Sequence, residues 1–100
     1  MTDKLDFSAD GEGRFLIKGK MNYESCPAAL DESMRLFRDM PNIELDLSAV
    51  DTTDSAGLAL LVEWVGWAKR EHRKLSFRHL PQQALALARI SDVEKMLPVG

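Results

Sequence analysis

Four consecutive residues before a long apolar stretch carry hydroxyl or carboxyl side chains: Thr52, Thr53, Asp54 and Ser55. Ala56 and Gly57 complete this segment. Each of the four can accept hydrogen bonds from the free N–H groups of a helix start, but a helix needs only one such cap, worth about 1 kcal/mol. A helix N-terminus also attracts an anion or a ligand acceptor, and Gly57 lets another backbone approach closely. A binding site is one interpretation of this segment. A plain cap at Asp54 or Ser55, with Gly57 fitting the packing, is the alternative.

Alternating and helical patterns place this segment between a strand and a helix, where open α/β sheets carry their sites. Residues 43–47 alternate strictly between apolar and polar side chains, which predicts a strand, and residues 55–72 have the apolar repeat of a helix. Further strands are predicted at residues 4–8, 14–20 and 74–78, and further helices at residues 25–40, 81–90 and 92–97.

This order of elements predicts an α/β fold. We expect a central, mostly parallel sheet of four to five strands, flanked by about four helices, with an antiparallel hairpin at its start. The turn of that hairpin is predicted at residues 10–13, where Asp-Gly separates two apolar runs. At 100 residues, the chain is predicted to be a single domain, 1–100.

The helix of residues 55–72 carries two apolar stripes. The first is predicted to pack on the sheet and comprises Leu58, Leu61, Val62 and Val65. The second comprises Leu60, Trp64 and Trp67. Because tryptophan is frequent among the anchors of protein interfaces, the second stripe predicts a partner-binding surface. The alternative is that both tryptophans pack against the helix of residues 84–90.

Composition excludes several classes of function. Thirteen basic and sixteen acidic residues give a net charge of −3, so we expect no nucleic-acid partner. The basic run of residues 69–74 is interpreted as a solvated helix C-terminus. The single cysteine, Cys26, excludes an internal disulfide and a thiolate zinc site. Without an apolar N-terminal segment or a stretch of about 20 apolar residues, we expect no signal peptide, no membrane insertion and a cytoplasmic location.

Few residues suggest catalysis. Asp46, Asp51 and Asp54 could form a phosphoacceptor or metal cluster like that of a receiver domain, but the further acidic pair and the lysine of that pattern are not apparent. His72 lies in a charged run and His79 at a strand end, where surface roles are more common. We therefore expect no catalytic residue, no metal site and no cofactor.

An alternating acidic strand, followed by Asp-Ser-x-Gly-Leu at the start of a long apolar helix, resembles the STAS domain of anti-sigma-factor antagonists and anion transporters. Residues 45–48 and 54–58 carry the resemblance, and the element order agrees over essentially the whole chain. Residues 57–61 and 85–89 are also similar to the small STAS subunits of Mla-type phospholipid ABC transporters. In the antagonists, the phosphorylated hydroxyl directly precedes the glycine. Here that position is Ala56, which cannot accept a phosphoryl group, whereas Ser55 matches the hydroxyl that the transporter subunits keep.

The resemblance implies a non-catalytic STAS subunit that binds the cytoplasmic ATPase of a phospholipid ABC transporter and, through it, the inner-membrane permease. Such a protein is cytoplasmic, is held peripherally at the inner membrane, and supports a transporter that maintains outer-membrane lipid asymmetry. The expected partner-binding residues are Thr52, Thr53, Asp54, Ser55, Ala56, Gly57, Leu60, Trp64 and Trp67. The alternative is an anti-sigma-factor antagonist whose kinase phosphorylates Ser55, which would add roughly −1.5 to −2 charge.

Overall fold

Four strands form one sheet in the computed structural model of the chain, which describes residues 4–99. They are β1 (Leu5–Ala9), β2 (Arg14–Met21), β3 (Asn42–Thr53) and β4 (Lys74–Arg78). The spatial order is β1-β2-β3-β4. β1 pairs with β2 in antiparallel fashion, and the β2–β3 and β3–β4 pairs are parallel. The mostly parallel sheet that starts with a hairpin is thus confirmed.

Three α-helices connect and follow the parallel strands: α1 (Cys26–Phe37), α2 (Ser55–Arg70) and α3 (Gln82–Ile90). A short 3-10 helix at Glu94–Met96 completes the elements of the described chain. The predicted α/β class is confirmed, with four strands within the expected range and one α-helix fewer than the four expected. The last predicted helix is only this single 3-10 turn.

The core lies between one face of the sheet and the helices. Along β3, Ile43, Leu45 and Leu47 are buried, and the register places Leu45 between Phe15 of β2 and Phe77 of β4. The α2 stripe predicted to cover this face does so: Leu58, Leu61 and Val65 are buried, and Val62 is half-buried. The packing of α2 on the sheet fixes the position at which α2 begins.

The inner face of α1 differs from the one that its apolar residues predict. Leu30, Met34 and Phe37 share a helical face, but only Phe37 of these is buried. The buried face runs instead through Ala29 and Ser33 to Phe37. The helix is therefore rotated so that a serine points into the core and two larger apolar residues flank it.

Trp64 explains the buried serine, and the expectation that this tryptophan lies on a partner surface is wrong. Its side chain has no exposed area, and its Nε1 donates a hydrogen bond to the Ser33 hydroxyl at 2.8 Å. The indole also packs edge-on against Phe7 and Phe37, with ring centroids 6.1 Å away in both cases. The neighbour that buries it is α1 together with β1, and not the helix of residues 84–90.

The rest of the second stripe also belongs to the α1–α2 contact. Trp67 is half-buried, with its ring 5.8 Å from that of Phe37 and the guanidinium of Arg73 5.5 Å from its centroid. Leu60 is buried. Helix α2 is therefore apolar around most of its circumference because it packs on both the sheet and α1.

The opposite face of the sheet is polar. Arg78 forms an ion pair with Glu44 at 3.3 Å, and His79 contacts Asp46 at 3.1 Å. Burial acts to raise the pKa of Asp46, but hydrogen bonds from Ser48 and His79 and the charge of His79 outweigh it and lower that pKa below its usual value. The Asp46 carboxylate is therefore used for contacts with Ser48 and His79 on the polar face of the sheet.

Candidate functional site

Asp54 alone forms the cap of α2. Its Oδ1 accepts hydrogen bonds from the backbone N–H groups of Ala56 at 2.9 Å and Gly57 at 3.1 Å. Its Oδ2 accepts from the N–H of Tyr23 at 3.2 Å, which ties the β2–α1 loop to the start of α2. Of the four residues that could cap this helix, the structure uses Asp54 and leaves Ser55 as the first helical residue.

Gly57 and Thr53 support the site from inside. A Cβ at Gly57 would lie 2.6 Å from the Met21 carbonyl oxygen and 2.6 Å from Thr53 Cγ2, so only glycine lets α2 start this close to the sheet. The Thr53 N–H donates to Oε1 of Gln83 in α3 at 2.9 Å, while its Oγ1 is buried and has no hydrogen-bond partner among the described residues. Both residues are buried, so the expectation that they contact a partner directly is wrong. Their role is to position the exposed residues beside them.

The remaining residues of the segment face outward. Thr52 and Ser55 are exposed, and Ala56 is half-buried. Ser55, Ala59 and Glu63 are spaced by four residues, which puts them on one side of α2, and all three are exposed. The serine hydroxyl is therefore the first polar group of an accessible helix face.

An apolar groove of about 330 Å³ runs along this face between α1 and α2. We call it the α1–α2 groove; its lining residues are Tyr23, Cys26, Pro27, Leu30, Ala56, Ala59, Leu60 and Glu63. Leu60 thus keeps a place in the candidate site despite its burial, and Tyr23, 72% exposed, stands at the groove as a large accessible aromatic side chain. Glu63 is the only carboxylate among the lining residues.

Sequence reasoning missed most of the α1–α2 groove. Tyr23 and Pro27 lie about thirty positions before the α2 residues that they face, and no local pattern joins the two segments. The one usable signal is the small side chain of Ala59, which lies between the bulky residues Leu58 and Leu60 and four residues after Ser55.

Cys26 lines the α1–α2 groove but is poorly suited to nucleophilic chemistry. Burial raises the pKa of its thiol, a hydrogen bond with Ser25 lowers it, and the negative charge of Asp54 raises it further, with a net increase. The thiol is therefore protonated at neutral pH, and only the thiolate is a nucleophile.

The geometry favours a docking surface over an ion or phosphate site. The N–H groups of Ala56 and Gly57, which would otherwise attract an anion, already bind the Asp54 carboxylate. Within residues 4–99, no group of three or more His, Cys, Asp and Glu side chains is arranged to hold a metal ion. None of the helices in that range is both long and apolar enough to cross a membrane.

The chain thus has a two-layer α/β fold whose second helix starts at an exposed serine beside an apolar groove. The chain belongs to the STAS domain family: the family model described as "Mlab, STAS domain" matches residues 7–98. The family is generally one of non-catalytic regulatory or interaction modules. No curated protein sequence shows a significant match to the chain.

Solved structures agree on the fold. A candidate anti-sigma factor antagonist from Thermotoga maritima has a TM-score of 0.76 and 13% identity, over 95% of this chain and 84% of that chain. The anti-sigma factor antagonist SpoIIAA in its unphosphorylated form has a TM-score of 0.72 and 8% identity, over 96% and 87%. The murine Solute Carrier 26 family member A9 anion transporter has a TM-score of 0.59 and 10% identity, over 88% of this chain and 14% of that chain. At these identities the likeness is one of fold.

Proposed function

We propose that the chain is the STAS subunit of an Mla-type phospholipid ABC transporter and that it binds the transporter's cytoplasmic ATPase through Ser55 and the α1–α2 groove. In this role it is a cytoplasmic protein that reaches the inner-membrane permease only through the ATPase. The transporter that it supports maintains outer-membrane lipid asymmetry. The observation that carries the proposal is the match of residues 7–98 to the family model described as "Mlab, STAS domain".

The residues at the start of α2 support this assignment over a phosphorylation switch. Ser55 carries the exposed hydroxyl at the start of α2, and Ala56, which stands between Ser55 and Gly57, cannot carry a phosphoryl group. A phosphate on Ser55 would meet the Asp54 carboxylate at a helix start whose first N–H groups are already bound. Like charges on adjacent residues oppose the modification.

The chemistry of the α1–α2 groove indicates what the ATPase must present. Its walls are mainly apolar, and Tyr23 is exposed beside them, so the partner should insert an apolar side chain. Glu63 forms an exposed ion pair with Arg70 at 3.5 Å, and such a pair is easily exchanged. We expect a basic residue of the ATPase near Glu63 and a hydrogen-bonding group near Ser55.

The first test replaces the exposed serine. Ser55→Arg places a large charged side chain at the start of α2 and should weaken binding to the purified ATPase by about tenfold or more. Ser8→Arg is the matched control, because Ser8 is also exposed but belongs to β1 and does not line the groove. Binding is measured by isothermal titration calorimetry, with circular dichroism to check folding. Equal affinity of Ser55→Arg and wild type would show that Ser55 is not at the contact.

A second test addresses the α1–α2 groove itself. Ala59→Arg should fill the groove and abolish binding, whereas Ala86→Arg, at an exposed alanine of α3, should leave binding within about twofold. If the ATPase binds neither variant nor the wild type, the antagonist alternative is examined by incubation with an anti-sigma kinase and ATP. A phosphoryl adduct on Ser55 in the mass spectrum would then replace the transporter assignment.

A further inference from the structure

A second groove, basic in character, lies at the other end of α2 beside β4. Its volume is about 300 Å³, and its apolar lining includes Leu75, Met96 and Pro98. Lys69 and Lys74, both exposed, lie at its rim. None of its lining residues is acidic, although the whole chain has a net charge of −3. This basic groove therefore reverses the charge of the protein locally and favours an anionic ligand.

Arg73 gives the basic groove a fixed positive charge. Its Nη1 donates to the carbonyl oxygens of Phe37 at 3.2 Å and Met40 at 2.8 Å, and its Nη2 donates to that of Arg38 at 2.9 Å. The guanidinium also lies over the ring of Trp67. These contacts at the C-terminus of α1 occupy the donors of Arg73, so this residue contributes positive charge to the groove. Lys69 and Lys74 remain available for ion pairs with a ligand.

The outer edge of β4 offers main-chain groups at the same place. Lys74 donates its N–H to the Pro41 carbonyl on the β3 side, and Phe77 donates to the Pro98 carbonyl on the opposite side at 2.8 Å. Since successive residues of a strand direct their main-chain groups to alternate sides, the N–H and C=O of Leu75 also point away from β3. On this edge, Phe77 forms an isolated parallel bridge with Val99, so the C-terminal segment covers Phe77. Among the described residues, the edge remains open at Leu75, next to the basic groove.

We propose that the basic groove binds an extended acidic polypeptide segment of a partner protein, which adds to the edge of β4 at Leu75. Three observations select a polypeptide. The strand edge at Leu75 supplies one N–H and one C=O, which the main chain of an extended segment can match. The apolar floor accepts a side chain from alternate positions of such a strand. Lys69 and Lys74 supply positive charges for the acidic side chains of the segment.

This surface is distinct from the proposed ATPase contact. Ala56 lines one groove and Lys69 the other, and they are thirteen residues apart in α2, about 20 Å at a rise of 1.5 Å per residue. A partner can therefore occupy the basic groove while Ser55 is engaged. The two proposals fail independently, because they depend on different residues and different probes.

The experiment uses the full chain labelled with ¹⁵N and a synthetic probe, an N-acetylated heptapeptide amide with the sequence Glu-Leu-Asp-Leu-Glu-Leu-Asp. We expect saturable shifts of the Leu75 and Met96 amide signals in two-dimensional NMR spectra. The variant Lys69→Glu/Lys74→Glu should bind at least about tenfold more weakly. The variant Lys18→Glu/Lys20→Glu, which reverses two exposed lysines of β2, should bind within about twofold of the wild type.

A peptide of the same sequence, with N-methyl groups on the residues whose N–H would face β4, tests strand addition separately from charge. It should lose binding, whereas N-methylation at the other positions should not. Equal binding of both peptides, shifts confined to other residues, or equal affinity of the two charge-reversed variants would overturn the proposal. So would dodecyl phosphate, below its micelle concentration, shifting the same amides while the peptide does not, since that result assigns the basic groove to a single-chain amphiphile.

Discussion

Replacing Ser33 with alanine should destabilise the protein by removing the hydrogen bond that joins α1 to α2. The Trp64 Nε1 donates to the Ser33 hydroxyl at 2.8 Å, and both side chains are fully buried. The same hydroxyl donates to the carbonyl oxygen of Leu30 at 2.8 Å. In Ser33→Ala the indole N–H stays in the core, where its ring neighbours Phe7 and Phe37 offer no oxygen acceptor.

The expected magnitude follows from which groups lose a partner. A buried donor left without an acceptor costs about 1–3 kcal/mol. The Leu30 carbonyl, inside α1, loses only a bond additional to its helical one, which costs little. For a domain of 100 residues, each kcal/mol lowers Tm by about 4–8 °C, so the expected decrease is about 4–24 °C.

Urea unfolding followed by far-ultraviolet circular dichroism measures this loss, with Ser8→Ala as a surface control expected within about 0.5 kcal/mol of the wild type. A double-mutant cycle isolates the bond. In the Trp64→Phe background the donor is gone, so adding Ser33→Ala should cost less than about 0.5 kcal/mol more, which gives a coupling of about 1–3 kcal/mol. The same loss in both backgrounds would falsify the hydrogen-bond explanation and leave only a packing effect.

Three further predictions concern single positions. Gly57→Ala should cost about 1–3 kcal/mol in urea unfolding, because its Cβ would meet the Met21 carbonyl oxygen at 2.6 Å. The control Gly66→Ala, which contacts only a flexible side chain in the same helix, should gain about 0.5–1 kcal/mol; the opposite order would contradict the packing. Cys26 should react with iodoacetamide much more slowly in native protein at pH 7 than in urea, since burial raises its pKa; equal rates would be inconsistent with this. The pKa of Asp46 is lowered on folding, so its contribution, less than about 1 kcal/mol, is present above the unfolded pKa of about 3.9 and is lost as pH falls through the folded pKa. The stability difference between wild type and Asp46→Asn should therefore vanish at low pH, and a difference that grows on acidification would refute the sign.

The extent of β3 shows how far alternation predicts a strand. The pattern is correct up to Leu47, but the buried positions after it are Val50 and Thr53, which are spaced by three. The β2–β3 register shifts twice in this stretch, and each shift adds one residue to β3 relative to β2. Such bulges reset the alternation, and they carry the strand directly into the cap of α2. No property of the single residues indicates them.

The second stripe of α2 illustrates a different limit. Helical periodicity predicts correctly that Leu60, Trp64 and Trp67 share a side, but it does not say which neighbour covers that side. The neighbour is α1, and its contact depends on Ser33, a polar residue that hydrophobic patterning assigns to the surface. Ser33 and Trp64 are thirty-one positions apart, and a local sequence pattern cannot indicate a hydrogen bond between them.

The four polar residues 52–55 at the start of α2 fall into two groups, two that the fold uses and two that are exposed. Asp54 satisfies the helix start and the Tyr23 N–H, so the structural need for a cap is met by one residue. Thr53 turns its side chain inward and anchors α3 through its backbone. Thr52 and Ser55 are left exposed, at the end of β3 and the start of α2. One cap fulfils the folding requirement, and the apolar groove lined by Ala56 supplies contact area next to these two exposed hydroxyls.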